Sequence, residues 1–238
     1  MDTVNGYSNW TAEVTLAPGT NFIAAYAADS SGNVSGWSST SSFVYDTTPP
    51  TVSGVTASNT NGAYDGGQTI HVQVNFAEAV NVTGSPKLAL NTTPAESATY
   101  ASGSGTSTLT FDYTVQAGDN VAALDYASTG ALTLNGGTIA DLATNNATLT
   151  LASPGAAGSL SASKSLTVDT VSPTAGSVTA SNANGAYDAG QTIHVQVGFS
   201  EPVDVTGSPK LALNTTPAES ATYASGSGTS TLTFDYTV

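Results

Sequence analysis

Apolar and polar residues alternate along much of this chain. Thr69–Phe76 reads TIHVQVNF, which puts Ile70, Val72, Val74 and Phe76 on one face and His71, Gln73 and Asn75 on the other. A period of two predicts a strand with one packed face and one wet face. Thr108–Val115 (TLTFDYTV) follows the same rule, with Leu109, Phe111, Tyr113 and Val115 inward and Asp112 outward. Shorter runs obey it at Leu88/Leu90, Leu132/Leu134, Leu149/Leu151 and Leu166/Val168. Turn-rich stretches separate them, such as Ser58–Gly62, Ser102–Gly105 and Asn135–Gly137. No long stretch keeps a period of 3.6, and Ile139–Asn145 has room for one helical turn at most. Short strands divided by turns predict an all-β fold of two-sheet sandwiches, with about seven to nine strands per unit.

The pattern then recurs. Residues 48–115 return as residues 171–238, and Val82–Val115 is identical, letter for letter, to Val205–Val238. So long a period with such similar copies predicts whole domains joined head to tail. The mismatches support the face assignment. Asn75 becomes Gly198, Ala77 becomes Ser200, Ala79 becomes Pro202 and Asn81 becomes Asp204, all on the outward phase. The inward phase of Val74, Phe76, Glu78 and Val80 is unchanged, as expected when only that face is packed.

Two similar seams, Asp46–Pro50 and Asp169–Pro173, mark the expected boundaries. Proline removes a ladder donor there and stiffens the joint. Residues 1–47 then form the C-terminal part of one sandwich, with strands near 11–16, 21–28 and 41–45. Residues 48–170 form a complete unit. Residues 171–238 form the N-terminal half of a second copy, expected to be truncated, with an unpaired edge and an uncovered apolar face.

Composition narrows the function. Three lysines (Lys87, Lys164, Lys210) and no arginine stand against 17 acidic residues, a net charge of −14. No basic patch can form, which argues against nucleic-acid binding and against attraction to an anionic membrane. Hard cations such as Ca²⁺, which take oxygen ligands, remain compatible. The chain has no cysteine, hence no disulfide and no thiolate metal site. No apolar run reaches the roughly 18 residues needed for a membrane span, so no membrane insertion is expected in this segment. Met1-Asp2-Thr3 opens on polar residues, so any export signal is expected outside this stretch.

The strongest candidate chemistry is oxygen-rich. Asp29 and Asn33 flank a tight turn, echoed by Asp141 and Asn145, and the seam residues Asp46 and Asp169 could approach such a loop from the neighbouring unit. Side-chain and backbone oxygens in a tight turn suit Ca²⁺, but the same residues also make an Asx turn that bonds only its own backbone. Thr144 stands where the first loop has Gly32. A β-branched residue resists positive φ, so the two loops are expected to differ in geometry. Glu78 and its copy Glu201 fall on the inward phase, which leaves three readings: a bulge that turns the carboxylate outward, a carboxylate accepting backbone N–H groups, or a ligand. His71 and His194 lie on outward faces without an evident nucleophile or orienting partner, so no enzyme activity is expected.

The seams, the run Gly62-Ala-Tyr-Asp…Thr-Ile70, Val74-x-Phe-x-Glu78 and Leu132-x-Leu-Asn-Gly-Gly-Thr-Ile139 resemble bacterial Ig-like tandem repeats of very large secreted or surface-anchored adhesin-type proteins. Residues 1–47, with Trp10, Ala17–Thr20 and Asp29–Asn33, resemble a second Ig-like repeat type. The resemblance implies Greek-key sandwiches, an extracellular or cell-surface location, neighbouring repeats as partners, and Ca²⁺ at or near the junctions. Two function classes follow. One is a structural spacer that holds another domain away from a cell surface. The other is a module whose end loops, with Tyr64 and Tyr187 as contacts, bind a host or matrix glycan or protein. A hydrolase accessory region is a remote third.

Overall fold

The computed structural model describes residues 11–238; Trp10 and the opening Met1–Thr3 lie outside the described residues. The protein is all-β apart from one short helix among these residues. It divides into two compact units, one ending at Thr170 and one spanning Val171–Val238. The described residues before the first seam thus fall in the same unit as residues 48–170.

In the first unit, β1 (Gly19–Ile23) pairs antiparallel with β2 (Ser41–Tyr45). The strand expected near 11–16 does not form, and that expected at 21–28 ends at Ile23. Serine hydroxyls take over beyond it. Ala25 N and Ala27 N donate to Ser38 Oγ and Ser35 Oγ, in place of a continuous ladder.

After the seam come β3 (Val52–Ala57), β4 (Gly62–Tyr64), β5 (Thr69–Thr83), β6 (Lys87–Ala89), β7 (Ser97–Ser102), β8 (Thr106–Thr114), β9 (Asn120–Val121), β10 (Leu132–Thr133), β11 (Thr138–Ala140) and β12 (Leu166–Asp169). The count exceeds seven to nine because several strands have only two or three residues. The larger sheet runs β10-β6-β7-β8-β5-β11, with β3 also on β5, and the smaller runs β4-β12-β9. Ile70, Val72, Val74, Leu109 and Phe111 of the larger sheet share one buried cluster with Leu166 and Val168 of the smaller, and with Leu124, Tyr126, Leu151 and Leu160. Each such side chain contributes about 1.5–3 kcal/mol by leaving water. The alternation predicted for β5 holds, with His71 and Ala77 exposed and Phe76 and Val80 buried.

One local expectation fails, and one stated as an upper limit is met without being reached. Leu149–Leu151 is not a strand, although Leu151 is buried. Ile139–Asn145 has no helical turn; the helix, α1, is Leu160–Ser163. Ser159 Oγ caps it by accepting from Ala162 N. Asp125, only 2 % exposed, anchors it as well. Its Oδ2 accepts from Gly155 N, Ser161 N and Ser161 Oγ, and its Oδ1 accepts from Tyr126 N.

The second unit is a single sheet of order β13-β14-β17-β16-β15. Its strands are β13 (Ala175–Ala180), β14 (Thr192–Val203), β15 (Lys210–Ala212), β16 (Ser220–Ser225) and β17 (Thr229–Thr237). Its register copies the first unit, with Val195 opposite Phe234 as Val72 is opposite Phe111.

Candidate metal centre

Asp46, Glu78 and Asp141 converge in the first unit. One carboxylate oxygen of each lies within 4.8 Å of the others. The group lines an open pocket of about 400 Å³ with Val44, Ala79, Leu142 and Ala143.

Three separate segments place these acids. Asp46 follows β2, and its Oδ1 accepts from Thr48 N in an Asx turn. Glu78 sits where β5 breaks register with β8. Between the pairs Asn75↔Thr108 and Val80↔Thr106, β5 spends more residues than β8, the mark of a bulge. The bulge reading and the ligand reading of Glu78 are therefore not exclusive, since the irregular stretch is what carries Glu78 toward the other two acids. Asp141 follows β11 and is only 4 % exposed. Its Oδ1 accepts from Asn145 N and its Oδ2 from Asn145 Nδ2. Asn145 Nδ2 also donates to Asp46 O, so one amide holds both the loop and the seam.

Thr144 corrects the expectation about this loop. It takes φ 71°, close to the 87° of Gly32. Asp29 and Asp141 share the same bonds: Asn33 N to Asp29 Oδ1 and Asn33 Nδ2 to Asp29 Oδ2. The Asp and Asn bonds fix the turn, and they override the reluctance of a β-branched residue to enter the left-handed region. What differs is the surroundings. Asp29 is exposed, and its carboxyl is held below the ordinary range by the Asn33 side chain first and the Asn33 backbone next. It belongs to no acidic cluster among the described residues. Asp169 closes β12, opposite Asn120 of β9. Glu201, the copy of Glu78, has a shielded Oε1 that makes no hydrogen bond.

The donors suit a hard divalent cation. Two oxygens on opposite sides of Ca²⁺, each at about 2.4 Å, stand about 4.8 Å apart. Three carboxylates leave positions for water or carbonyls, which Ca²⁺ tolerates through its six to eight ligands. No thiolate or imidazole joins the group, which argues against the softer metals.

The other candidates separate from this centre. Tyr64 is half-buried against the core, with its hydroxyl donating to Thr60 O; Tyr187 donates to Ala183 O. His71 has a partner that sequence reading missed. Its Nδ1 lies 2.6 Å from Asp112 Oδ1, and His194 and Asp235 repeat the pair. The cross-strand register His71↔Asp112 was the available signal, since both side chains fall on the outward phase. No described hydrogen bond brings a hydroxyl nucleophile to either ring.

No helix among the described residues is long and apolar enough to cross a membrane. Comparison with family models, curated proteins and solved structures found no match to this chain.

Proposed function

We propose that this chain is a spacer segment of an extracellular, Ig-like repeat protein of the adhesin type. It is non-catalytic, and Ca²⁺ held by Asp46, Glu78 and Asp141 stiffens the first seam. One observation carries the reading: a seam carboxylate meets two carboxylates of the following repeat within 4.8 Å of one another. A cation there ties the stretch after β2 to the bulge of β5 and the loop after β11. Without it, three like charges face each other and loosen the joint. The repeated, proline-jointed architecture and the low content of charged residues fit a structural role.

Calorimetric titration of the chain with CaCl₂ tests the metal, and glycan-array binding tests the role. Saturable heat, lost in Asp141→Asn, is expected, together with a blank array. Specific glycan binding that disappears in Tyr64→Ala while the fold is kept would overturn the spacer reading in favour of a binding module.

A further inference from the structure

Residues 48–170 hold two Asn-Gly pairs, Asn61-Gly62 and Asn135-Gly136. Such a pair is open to attack on itself, because glycine sets no side chain between its backbone nitrogen and the asparagine carboxamide. Both asparagines are exposed, so access to water does not separate them. Their hydrogen bonds do. Gly62 N donates to Ser165 O at 3.0 Å, and Asn61 Oδ1 accepts from Ser165 N at 3.1 Å. Gly62 also opens β4, paired parallel with β12. Ring closure there has to break both bonds to Ser165 and fray the end of the ladder.

Asn135-Gly136 lies between β10 and β11, in a turn closed by Gly137 N donating to Leu134 O at 2.8 Å. Asn135 takes φ 48° and Gly136 φ 80°, so both central residues are left-handed, as in a type I′ turn. The closing bond of such a turn does not use the nitrogen of the second central residue. Gly136 N makes no described hydrogen bond, and nothing lies within 4 Å of where a side chain on Gly136 would begin. One bond restrains the carboxamide: Asn135 Nδ2 donates to Ser85 O at 3.0 Å. It holds the leaving nitrogen and does not touch the nucleophile.

We infer that Asn135 is a self-modification site, which water converts to aspartate and isoaspartate and which the fold leaves open while it protects Asn61. Gly136 N loses its proton to solvent and bonds to Asn135 Cγ. The Cγ–Nδ2 bond breaks, and Nδ2 departs as ammonia with a proton taken from water. Water then adds to either carbonyl of the succinimide ring and breaks that carbonyl's bond to the ring nitrogen. One opening gives aspartate and the other isoaspartate. No oxidant, reductant or enzyme enters the balance.

The surroundings give the second product a structural effect. Isoaspartate carries the main chain through the side-chain carbon and so lengthens the turn by a methylene. A Cβ on Gly137 would lie 2.1 Å from Thr83 O, and one on Gly84 would lie 2.8 Å from Gly137 Cα, so the two backbones already touch there. The next residue ties β11 to β5. Thr138 N donates to Thr83 Oγ1 at 3.1 Å, and the two hydroxyls lie 2.8 Å apart. A longer turn therefore displaces Thr138–Ala140 from Asn81–Thr83. The inference does not depend on the metal centre.

The test is an incubation of the full chain at mildly alkaline pH, folded and in denaturant, with peptide mass spectrometry at both pairs and isoaspartyl methyltransferase labelling. In the folded chain Asn135 is expected to react at least about ten-fold faster than Asn61, since two hydrogen bonds must open before Gly62 can attack. In denaturant the two rates converge, because the sequence around the attack is Asn-Gly in both. Hydrogen exchange at Thr138–Ala140 is expected to rise in the isoaspartate fraction. It stays low in Asn135→Asp, which adds the charge without lengthening the chain. An unreacted Asn135, equal rates in the folded chain, or the same ratio of rates in denaturant would each overturn the inference. So would slow exchange at Thr138–Ala140 in the isoaspartate fraction, or fast exchange there in Asn135→Asp.

Discussion

Glu78→Gln separates a metal centre from an incidental acidic cluster, because the two predict opposite things. The carboxylate oxygens of Asp46, Glu78 and Asp141 lie within 4.8 Å of one another. At that distance two unit charges in a water-like medium repel by about 0.9 kcal/mol. Asp46 and Glu78 are partly exposed, so the water-like limit applies rather than the interior one. Glutamine at position 78 removes two of the three repulsive pairs. With screening at physiological salt, this is worth about 1–2 kcal/mol. In chelator the variant is therefore expected to be more stable than the natural chain, by a few degrees in Tm. In Ca²⁺ at about a hundred times Kd, the natural chain is expected to gain about 2.7 kcal/mol. The variant, lacking one charged ligand, gains much less, so the order of stability reverses. Differential scanning calorimetry of both proteins in chelator and in Ca²⁺ reads this directly. Equal melting of the two in chelator, or an equal Ca²⁺ gain in both, would refute the reasoning.

Three further outcomes follow from individual contacts. Thr144→Gly is expected to raise stability by about 1 kcal/mol, because φ 71° is strained for threonine and open to glycine; a urea midpoint that falls would show that Thr144 makes an offsetting contact. Asp125→Asn is expected to cost about 3–5 kcal/mol in urea unfolding, since an amide cannot accept from Tyr126 N, Gly155 N and both Ser161 groups together; a cost below about 1 kcal/mol would contradict this. Burial and the nearby Asp125 push the Tyr126 hydroxyl up to about 12 from its ordinary 10. Burial and then the hydrogen bond to Asp119 push Tyr113 up as well. Folding thus favours the protonated phenols, so their stabilisation is full below pH 10; that of Tyr126 is lost as pH rises from 10 to about 12. Tyr126→Phe should flatten that alkaline loss when circular dichroism is followed with tyrosinate absorbance; an unchanged profile counts against it.

Much of the fold was legible because strand amphipathicity is local. Side chains two apart share a face, so the inward set from Ile70 to Val80 could be read directly, and the repeat's own mismatches marked the wet side. The Asp-and-Asn loops were legible too, since their bonds span four residues. The acidic cluster was only half legible. Asp46 and Asp141 stood out as candidates, but whether they meet, and that Glu78 joins them, depends on a bulge that breaks the β5–β8 register. Likewise the pairing of His71 with Asp112 needed the register between distant strands.

The clearest division between the two levels lies in three residues that occur twice. By itself, the sequence determined the inward face, the turns and the repeat. It did not determine whether Gly-Ala-Tyr is a strand. At Gly62–Tyr64 it is one, because β12 supplies the hydrogen-bond partner; at Gly185–Tyr187 the letters are the same and the strand is absent. A strand's ladder bonds are made with another segment, so only the tertiary structure decides them.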